Sequence, residues 1–287
     1  MHTRTIAGVD VSAIGLGAME FSVEGHPSYE QAIRTIHAAL DAGVRLIDTA
    51  DAYTPDPDDM GHNERIVADA LSQWGGDRDS VLVATKGGST RTPGGGWGHD
   101  GRPDYLKAAC DRSLKALGVE SIGLYQHHRP DDKVSYEETI GALKELLDAG
   151  KVRAVGISNA DPEQIELAAS IVPLAAVQNE FSPRFTSSYR ELRLCAERGI
   201  AFLPWSPLGG IGKAAQLGGR FARLAEIGAA HGLSAQQVCL AWELALAPVV
   251  IPIPGCSRPE TAVSSAAAAD VRLTDAEIAE LSADLPT

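Results

Sequence analysis

A carboxylate and a phenol, Asp48 and Tyr53, follow an apolar run at residues 44–47 and could form part of a catalytic site. Lys86 ends another apolar run, where a buried ammonium group needs a carboxylate partner such as Asp48. An ammonium group beside a phenol lowers the phenol pKa, which would make Tyr53 a better proton donor near neutral pH. The alternative is a buried Asp–Lys pair with a tyrosine that only packs beneath the loop, and these residues alone favour neither.

These side chains need a scaffold that brings distant strand ends together, and the hydrophobic pattern predicts one. Short apolar runs alternate with amphipathic segments, and most runs are uniformly apolar, as in parallel strands that are covered on both faces. The predicted strands cover residues 14–19, 44–47, 81–84, 122–125, 152–157, 174–177, 200–203 and 249–253. Eight such βα units without a dividing linker predict an α/β fold, a (β/α)8 TIM barrel that forms a single domain over residues 1–287.

Some segments lie outside the repeating βα pattern. Residues 4–12 predict an N-terminal β-hairpin before the first barrel strand, and Gly232 divides residues 220–247 into extra helices near the C-terminus. The connections at residues 54–62 and 90–103 are long and irregular. Connections of this length are typical of active-site lids or mobile segments.

Composition limits the classes of partner. The net charge of −13, from 25 basic and 38 acidic residues, argues against a nucleic-acid or acidic-membrane partner but permits a local basic pocket. The four cysteines form no CxxC pair, and we expect neither a disulfide framework nor a metal site. Without a signal-peptide pattern or an apolar run of about 20 residues, we expect a cytoplasmic protein, for which a monomer is one allowed oligomeric state.

In a barrel of this type, the active site is assembled from residues just past the carboxyl ends of the strands. Residues that could bind a ligand also follow the later strands, in addition to Asp48 and Lys86 at the ends of the earlier ones. They are His127, His128, Ser158, Asn159, Gln178, Asn179, Trp205, Ser206, Gly255, Ser257 and Arg258. We therefore expect these residues to converge on one rim of the barrel.

The strand ends resemble those of the aldo-keto reductase family of NADP-dependent oxidoreductases. The resemblance is to a bacterial-type member of that family. The matching fragments are Asp48-Thr-Ala-Asp-Ala-Tyr53, Ala84-Thr-Lys86, Leu124-Tyr-Gln-His-His128-Arg-Pro, Gly156-Ile-Ser-Asn159, Val177-Gln-Asn-Glu, Pro204-Trp-Ser-Pro-Leu and Ile253-Pro-Gly. Each fragment alone is weak. In this order, each at the end of a predicted strand and together covering essentially the whole chain, they are a specific signal.

The resemblance implies a catalytic tetrad and a reaction. The tetrad falls on Asp48, Tyr53, Lys86 and His128. His128 matches better than His127 because the family histidine directly precedes a short segment that ends in proline, and strand alternation points His127 the other way. The implied reaction moves a hydride from a nicotinamide to the carbonyl carbon of an aldehyde or ketone. Tyr53 would donate the proton, and His128 would orient the carbonyl oxygen.

The first strand is not followed by a GxGxxG fingerprint, so a Rossmann binding mode is unsupported. The resemblance implies instead an extended cofactor across the barrel mouth, NADPH by preference and NADH as a possibility. Ser158, Asn159 and Gln178 would hydrogen-bond its carboxamide, unless they only cap the following loops, and Trp205 would stack on the nicotinamide. The other predicted cofactor-binding residues are Ser206, Pro207, Leu208, Gly210, Gly255, Ser257 and Arg258, the last two at the 2′-phosphate.

A small carbonyl compound is the expected substrate, and Trp97 and His127 are predicted to line its pocket. For Trp97, the alternative is an exposed loop aromatic.

Two other functions are compatible with the sequence, since a fold does not specify a function. One is a nucleotide-binding redox sensor or regulatory subunit with little turnover. The other is a metal-dependent barrel hydrolase that would use Asp51, His62, His127 and His128.

Overall fold

The computed structural model of the chain describes residues 1–23 and 25–286. Its strands are β1 Thr3–Ile6, β2 Val9–Ser12, β3 Leu16–Gly17, β4 Leu46–Asp48, β5 Leu82–Gly87, β6 Ser89–Thr92, β7 Gly96–His99, β8 Leu124–His127, β9 Val155–Ser158, β10 Leu174–Gln178 and β11 Ala201–Phe202. Seven of them pair in parallel in the order β3, β4, β5, β8, β9, β10 and β11. Neighbours in the chain are thus neighbours in this curled sheet, as in a (β/α)8 barrel.

Residues 249–255 lie between the two edges of the sheet, where the eighth strand is predicted. Isolated parallel bridges join this segment to Phe202 on one side and to Gly17 on the other. The carbonyl groups of Pro252 and Pro254 accept hydrogen bonds from the first barrel strand at 2.9 and 3.0 Å. Because proline has no backbone N–H, the segment closes the barrel through single bridges rather than as a regular strand.

Helices cover the outside of the sheet. They are α1 Tyr29–Asp41, α2 His62–Gln73, α3 Pro103–Leu117, α4 Tyr136–Asp148, α5 Pro162–Ile171, α6 Tyr189–Arg198, α7 Leu217–Arg220, α8 Ala222–His231, α9 Ala235–Leu246, α10 Pro259–Ala267 and α11 Asp275–Leu281. The predicted break between α8 and α9 is confirmed at Gly232, which caps α8 with a left-handed φ of 69°. Among the described residues, no helix combines the length and the apolar character that crossing a bilayer requires.

The amino-terminal end of the barrel is filled and covered. Ile6 and Val11 of the β1–β2 hairpin belong to the same buried apolar cluster as Leu46, Leu82 and Leu124, which begin three of the barrel strands. The predicted N-terminal hairpin is confirmed, and its packing closes this end. The carboxyl ends of the strands are left as the place where a site can form.

The glycine-rich connection at residues 90–103 differs from its prediction. Strands β6 and β7 pair antiparallel within it, with Ser89 opposite His99, so the prediction of irregular structure is wrong there. Gly94 and Gly95 both have a φ of 85° and make the turn of this hairpin. The hairpin holds Trp97 beside the barrel mouth.

Candidate active site

Asp48, Lys86 and Tyr53 form one hydrogen-bonded group where β4 and β5 end. The Lys86 ammonium group donates to Asp48 Oδ2 at 2.6 Å, to the Tyr53 hydroxyl at 3.2 Å and to the Thr49 carbonyl at 2.8 Å. Lys86 is fully buried. Its three donors are all satisfied, which allows the ammonium group to remain charged without water.

The second oxygen of Asp48 is held by two amide side chains whose contact with it was not predicted from the sequence. Gln178 donates to Asp48 Oδ1 at 2.7 Å, and Gln126 donates to the same atom at 3.3 Å. Strand alternation could have indicated Gln126, because it lies two residues before His128 and therefore on the same face of β8. The Asp48 carboxylate is thus fixed from both sides.

Burial decides how these groups titrate. Burial raises the pKa of Tyr53 above its ordinary value, and the nearby Lys86 ammonium lowers it by less, so the predicted net lowering of this pKa is wrong. Burial lowers the pKa of Lys86, but the Asp48 carboxylate and Tyr53 raise it more, and it ends above its ordinary value. At neutral pH, Tyr53 therefore keeps its proton and Lys86 keeps its charge.

His128 lies directly after β8, and its ring contacts the Tyr53 ring edge-on, with 5.6 Å between ring centroids and 82° between planes. Burial, followed by the charge of Lys86, holds the pKa of His128 well below its ordinary value. Its Nδ1 is buried without a hydrogen-bond partner among the described residues. His128 is therefore a neutral imidazole, and Nε2 is the nitrogen available to a ligand.

His127 lies on the opposite face of β8. It is fully buried, and its ring packs 5.8 Å from the Tyr136 ring of α4 rather than against the cavity. The prediction that His127 lines the substrate pocket is corrected accordingly, since successive side chains of a strand point to opposite faces. Burial lowers the pKa of His127 to about 4, so this ring is also neutral at physiological pH.

A cavity of about 500 Å³ opens above this group at the barrel mouth. The predicted site residues that line it are Asp48, Tyr53, Trp97, His128, Ser158, Asn159, Gln178, Trp205, Ser206, Pro207, Leu208, Gly210 and Gly255. Lys86 lies beneath its floor. Residues that the sequence analysis did not assign also line it, and they include Met19, Glu20, Ser89, His99, Arg129, Ile211 and Ala214.

Two lining residues have unusual backbone conformations. Asn159 and Ser206 are non-glycine residues with φ of 57° and 53°, which costs free energy and is often found at functional sites. The Asn159 side-chain amide nitrogen donates a hydrogen bond to the His128 backbone carbonyl at 3.0 Å. The Asn159 side-chain oxygen accepts a hydrogen bond from the Trp205 indole N–H at 3.2 Å. These contacts join the ends of three strands into one wall of the cavity.

Ser257 and Arg258 lie outside the cavity lining, so the structure does not bring them together with the other predicted cofactor-binding residues. The Ser257 carbonyl accepts a hydrogen bond from Gln31 of α1 at 2.7 Å. Arg258 is exposed and precedes the first residue of α10, Pro259. Gly255 is the last lining residue along the chain, and Ser257 and Arg258 follow it. Only a ligand that extends past Gly255 would reach them.

The residues of the alternative metal site are separated. His62 Nδ1 is 2.8 Å from the Ser22 hydroxyl, and His127 packs against Tyr136 behind the cavity wall. Asp51 is buried. Within residues 1–23 and 25–286, no group of three or more His, Cys, Asp or Glu side chains could hold a metal ion.

Comparisons with known proteins define the class of this barrel. The sequence model of the Aldo/keto reductase family matches residues 13–284, and the chain belongs to that family. A probable aldo-keto reductase from Glycine max is 33% identical, and the alignment covers 97% of this chain and 87% of that protein. The predicted family and barrel fold are therefore confirmed.

Solved structures agree with this assignment. A glycerol dehydrogenase from Gluconobacter oxydans is 28% identical, with a TM-score of 0.81 over 98% of this chain and 95% of that one. An aldo-keto reductase from Klebsiella pneumoniae in complex with NADPH is 25% identical, with a TM-score of 0.80 over 99% of this chain and 95% of that one.

Proposed function

We propose that this protein reduces an aldehyde or ketone to an alcohol with NADPH as the hydride source. The observation that carries the proposal is the buried Lys86 ammonium, which hydrogen-bonds both Asp48 and Tyr53 beneath the cavity and beside His128. A phenol held in this way is positioned to give a proton to an oxygen atom in the cavity.

The donor set of the cavity fits a nicotinamide cofactor. Ser158, Asn159 and Gln178 carry the hydroxyl and amide groups that match a carboxamide, and Trp205 offers an aromatic face to a planar ring. The structural relative from Klebsiella pneumoniae was solved with NADPH. When bound, the nicotinamide would supply the hydride that goes to the carbonyl carbon.

The tetrad residues divide the remaining work. Tyr53 transfers its hydroxyl proton to the carbonyl oxygen as that oxygen gains negative charge, and Lys86 stabilises the phenolate that is left. Asp48 keeps Lys86 in place. Neutral His128 donates a hydrogen bond to the same oxygen, and single donors of this kind are typically worth about 3 kcal/mol in the transition state.

We also propose that NADPH is preferred to NADH. Arg258 is an exposed guanidinium group at the N-terminus of α10, which has nine residues. Guanidinium groups match the oxygens of a phosphate, and a helix N-terminus adds partial positive charge. Together they favour a cofactor with a 2′-phosphate.

The test is NADPH oxidation over a panel of aldehydes and ketones, with Tyr53→Phe compared with Tyr29→Phe. Tyr29 is a matched control because its exposed hydroxyl donates to Asp69 at 3.0 Å. We expect Tyr53→Phe to lose about a hundredfold or more in kcat while the NADPH dissociation constant stays the same. Full turnover by Tyr53→Phe would contradict the proposed role. NADPH binding without reduction of any carbonyl compound would instead favour the redox sensor.

A further inference from the structure

A guanidinium group lines the end of the cavity beside Tyr53 and His128, although the chain has a net charge of −13. Arg129 follows His128 directly, lines the cavity and is exposed. Burial has the largest effect on both neighbours, since it raises the pKa of Tyr53 and lowers the pKa of His128. The Arg129 charge lowers both pKa values. Within the described part of the chain, Arg129 makes no hydrogen bond and no ion pair. Its guanidinium group can therefore accept a ligand.

A second guanidinium group lies at the same end. Arg91 packs over the Trp97 ring, 4.1 Å from its centroid, and the Trp97 ring meets the Tyr53 ring at 6.4 Å with 82° between planes. The Arg91 Nε atom is buried without a hydrogen-bond partner among residues 1–23 and 25–286. Arg91 thus adds a positive charge near Tyr53, on the far side of the Trp97 ring.

Several carboxylates lie nearby, and among the described residues none forms a hydrogen bond with Arg129. Burial and the Arg129 charge lower the pKa of His99 and the Asp131 charge raises it, while the Asp131 oxygens accept hydrogen bonds from the backbone of Gly101 and Lys133. The charge of Asp48 is neutralised by Lys86 at 2.6 Å, and Glu20 lies at the other end of the cavity beside Gly255. Glu180 does not line the cavity; burial raises its pKa, and the charges of both Arg129 and Arg184 oppose that rise. Among the described residues, Arg129 therefore lines the cavity as a guanidinium group without a hydrogen-bonded carboxylate partner.

We propose that the physiological carbonyl substrate carries an oxyanion, a carboxylate or a phosphate, which Arg129 binds while the carbonyl oxygen lies at Tyr53 and His128. The planar guanidinium fork matches both groups with paired hydrogen bonds. The Arg129 charge also attracts an anion before contact. This inference rests on the proposed carbonyl reduction and names the class of substrate for the same site.

The experiment compares kcat/KM for matched aldehydes. One arm pairs ω-oxo carboxylates with neutral aldehydes of the same carbon number, and the other pairs a phosphorylated three-carbon aldehyde with its unphosphorylated form. We expect the wild-type protein to prefer at least one anionic member by about tenfold or more, with a preference that falls as salt is added. The arm that shows the preference identifies which oxyanion is recognised.

Variants assign the preference to a residue. Arg129→Gln should reduce the ratio of anionic to neutral kcat/KM by about tenfold or more, mainly through KM, and Arg91→Gln should reduce it less. Arg153→Gln is the matched control, since this exposed arginine precedes β9 at the opposite end of the barrel. A wild-type ratio near one, or a ratio that Arg129→Gln leaves unchanged, would overturn the inference.

A binding measurement separates this inference from the proposed reaction. If no carbonyl compound is reduced, the proposed reaction fails, and calorimetry of the NADPH complex with a short dicarboxylate and with inorganic phosphate decides the inference. The oxyanion site would be supported if the wild-type protein binds either anion and Arg129→Gln raises its dissociation constant about tenfold. Equal binding by both proteins, or binding by neither, would overturn it.

Discussion

The two ends of the proposed cofactor and substrate cavity are built differently. At the catalytic end, Asp48 and Lys86 are almost completely buried, and each charged group is held by several hydrogen bonds from the ends of different strands. At the other end, Gly255 is exposed, as is Arg258 beyond the cavity lining, and the preceding segment has prolines and isolated bridges to the sheet.

We propose that this difference separates chemistry from recognition. The buried end is fixed by the barrel before any ligand arrives, so its residues should affect rate and folding stability together. The exposed end can change its side chains without disturbing the core, so its residues should affect affinity alone. Substitutions at each end, together with a change of pH, test this division.

The largest effect is expected for Lys86→Met. It leaves the Asp48 carboxylate buried without its cation, which should lower the free energy of unfolding by about 3 to 5 kcal/mol and abolish carbonyl reduction. Urea unfolding and NADPH oxidation measure the two effects. Lys144→Met is the control, since it removes an exposed ion pair with Asp148 at 2.6 Å and should cost less than about 1 kcal/mol. Equal costs for both variants would refute the fixed, buried end.

Acid should destabilise the wall behind the catalytic end through His127. Its pKa is lowered to about 4 by burial, so the unfolded chain, with an ordinary value of 6.5, binds the proton first as pH falls. As the pH falls from 6.5 to 4, protonation of His127 should therefore decrease the free energy of unfolding by up to about 3 kcal/mol. His127→Leu should lose that part of the pH dependence in urea unfolding, and an unchanged slope would contradict the assignment.

The two glutamines that hold Asp48 should differ in their effects. Gln178→Leu should lower kcat by about tenfold or more and weaken NADPH binding, because Gln178 contacts Asp48 at 2.7 Å and also lines the cavity. Gln126→Leu should lower kcat less and leave NADPH binding unchanged, since Gln126 contacts Asp48 at 3.3 Å and lies outside the lining. Steady-state kinetics and cofactor fluorescence test this, and a reversed order would count against it.

At the exposed end, the effect should be confined to cofactor affinity. Arg258→Ala should raise the NADPH dissociation constant about tenfold, through loss of the 2′-phosphate contact, and leave NADH binding and folding stability unchanged. Titration of both cofactors followed by fluorescence measures this. Equal affinities of the wild-type protein for NADPH and NADH would remove the basis for the role given to Arg258.

The sequence predicted the barrel because its strand pattern repeats and its strand ends carry recognisable residues such as Asp48 and Lys86. It did not predict the β6–β7 hairpin, since the turn depends on glycines within a polar segment that has no hydrophobic period. Nor did it predict the net pKa shift of Tyr53. That shift is a balance between burial and a neighbouring charge, and burial follows from tertiary packing.

The cavity lining was predicted best where side chains come from strand ends and worst where they come from loops. Asn159 and Trp205 line the cavity as expected, whereas Arg129 and Glu20 were not assigned, and Ser257 lies outside it. A strand fixes the direction of its side chains through alternation. A loop does not, so its contribution to the site becomes visible only in three dimensions.

The most direct test of the central claim is transfer of deuterium from NADPH labelled at nicotinamide C4. With a carbonyl compound that the wild-type protein reduces, the alcohol should carry deuterium on the former carbonyl carbon, and Tyr53→Phe should form this product at least about a hundredfold more slowly. An unlabelled alcohol from both stereospecifically labelled cofactors, or an equal rate with Tyr53→Phe, would contradict a reductase built on this group of residues.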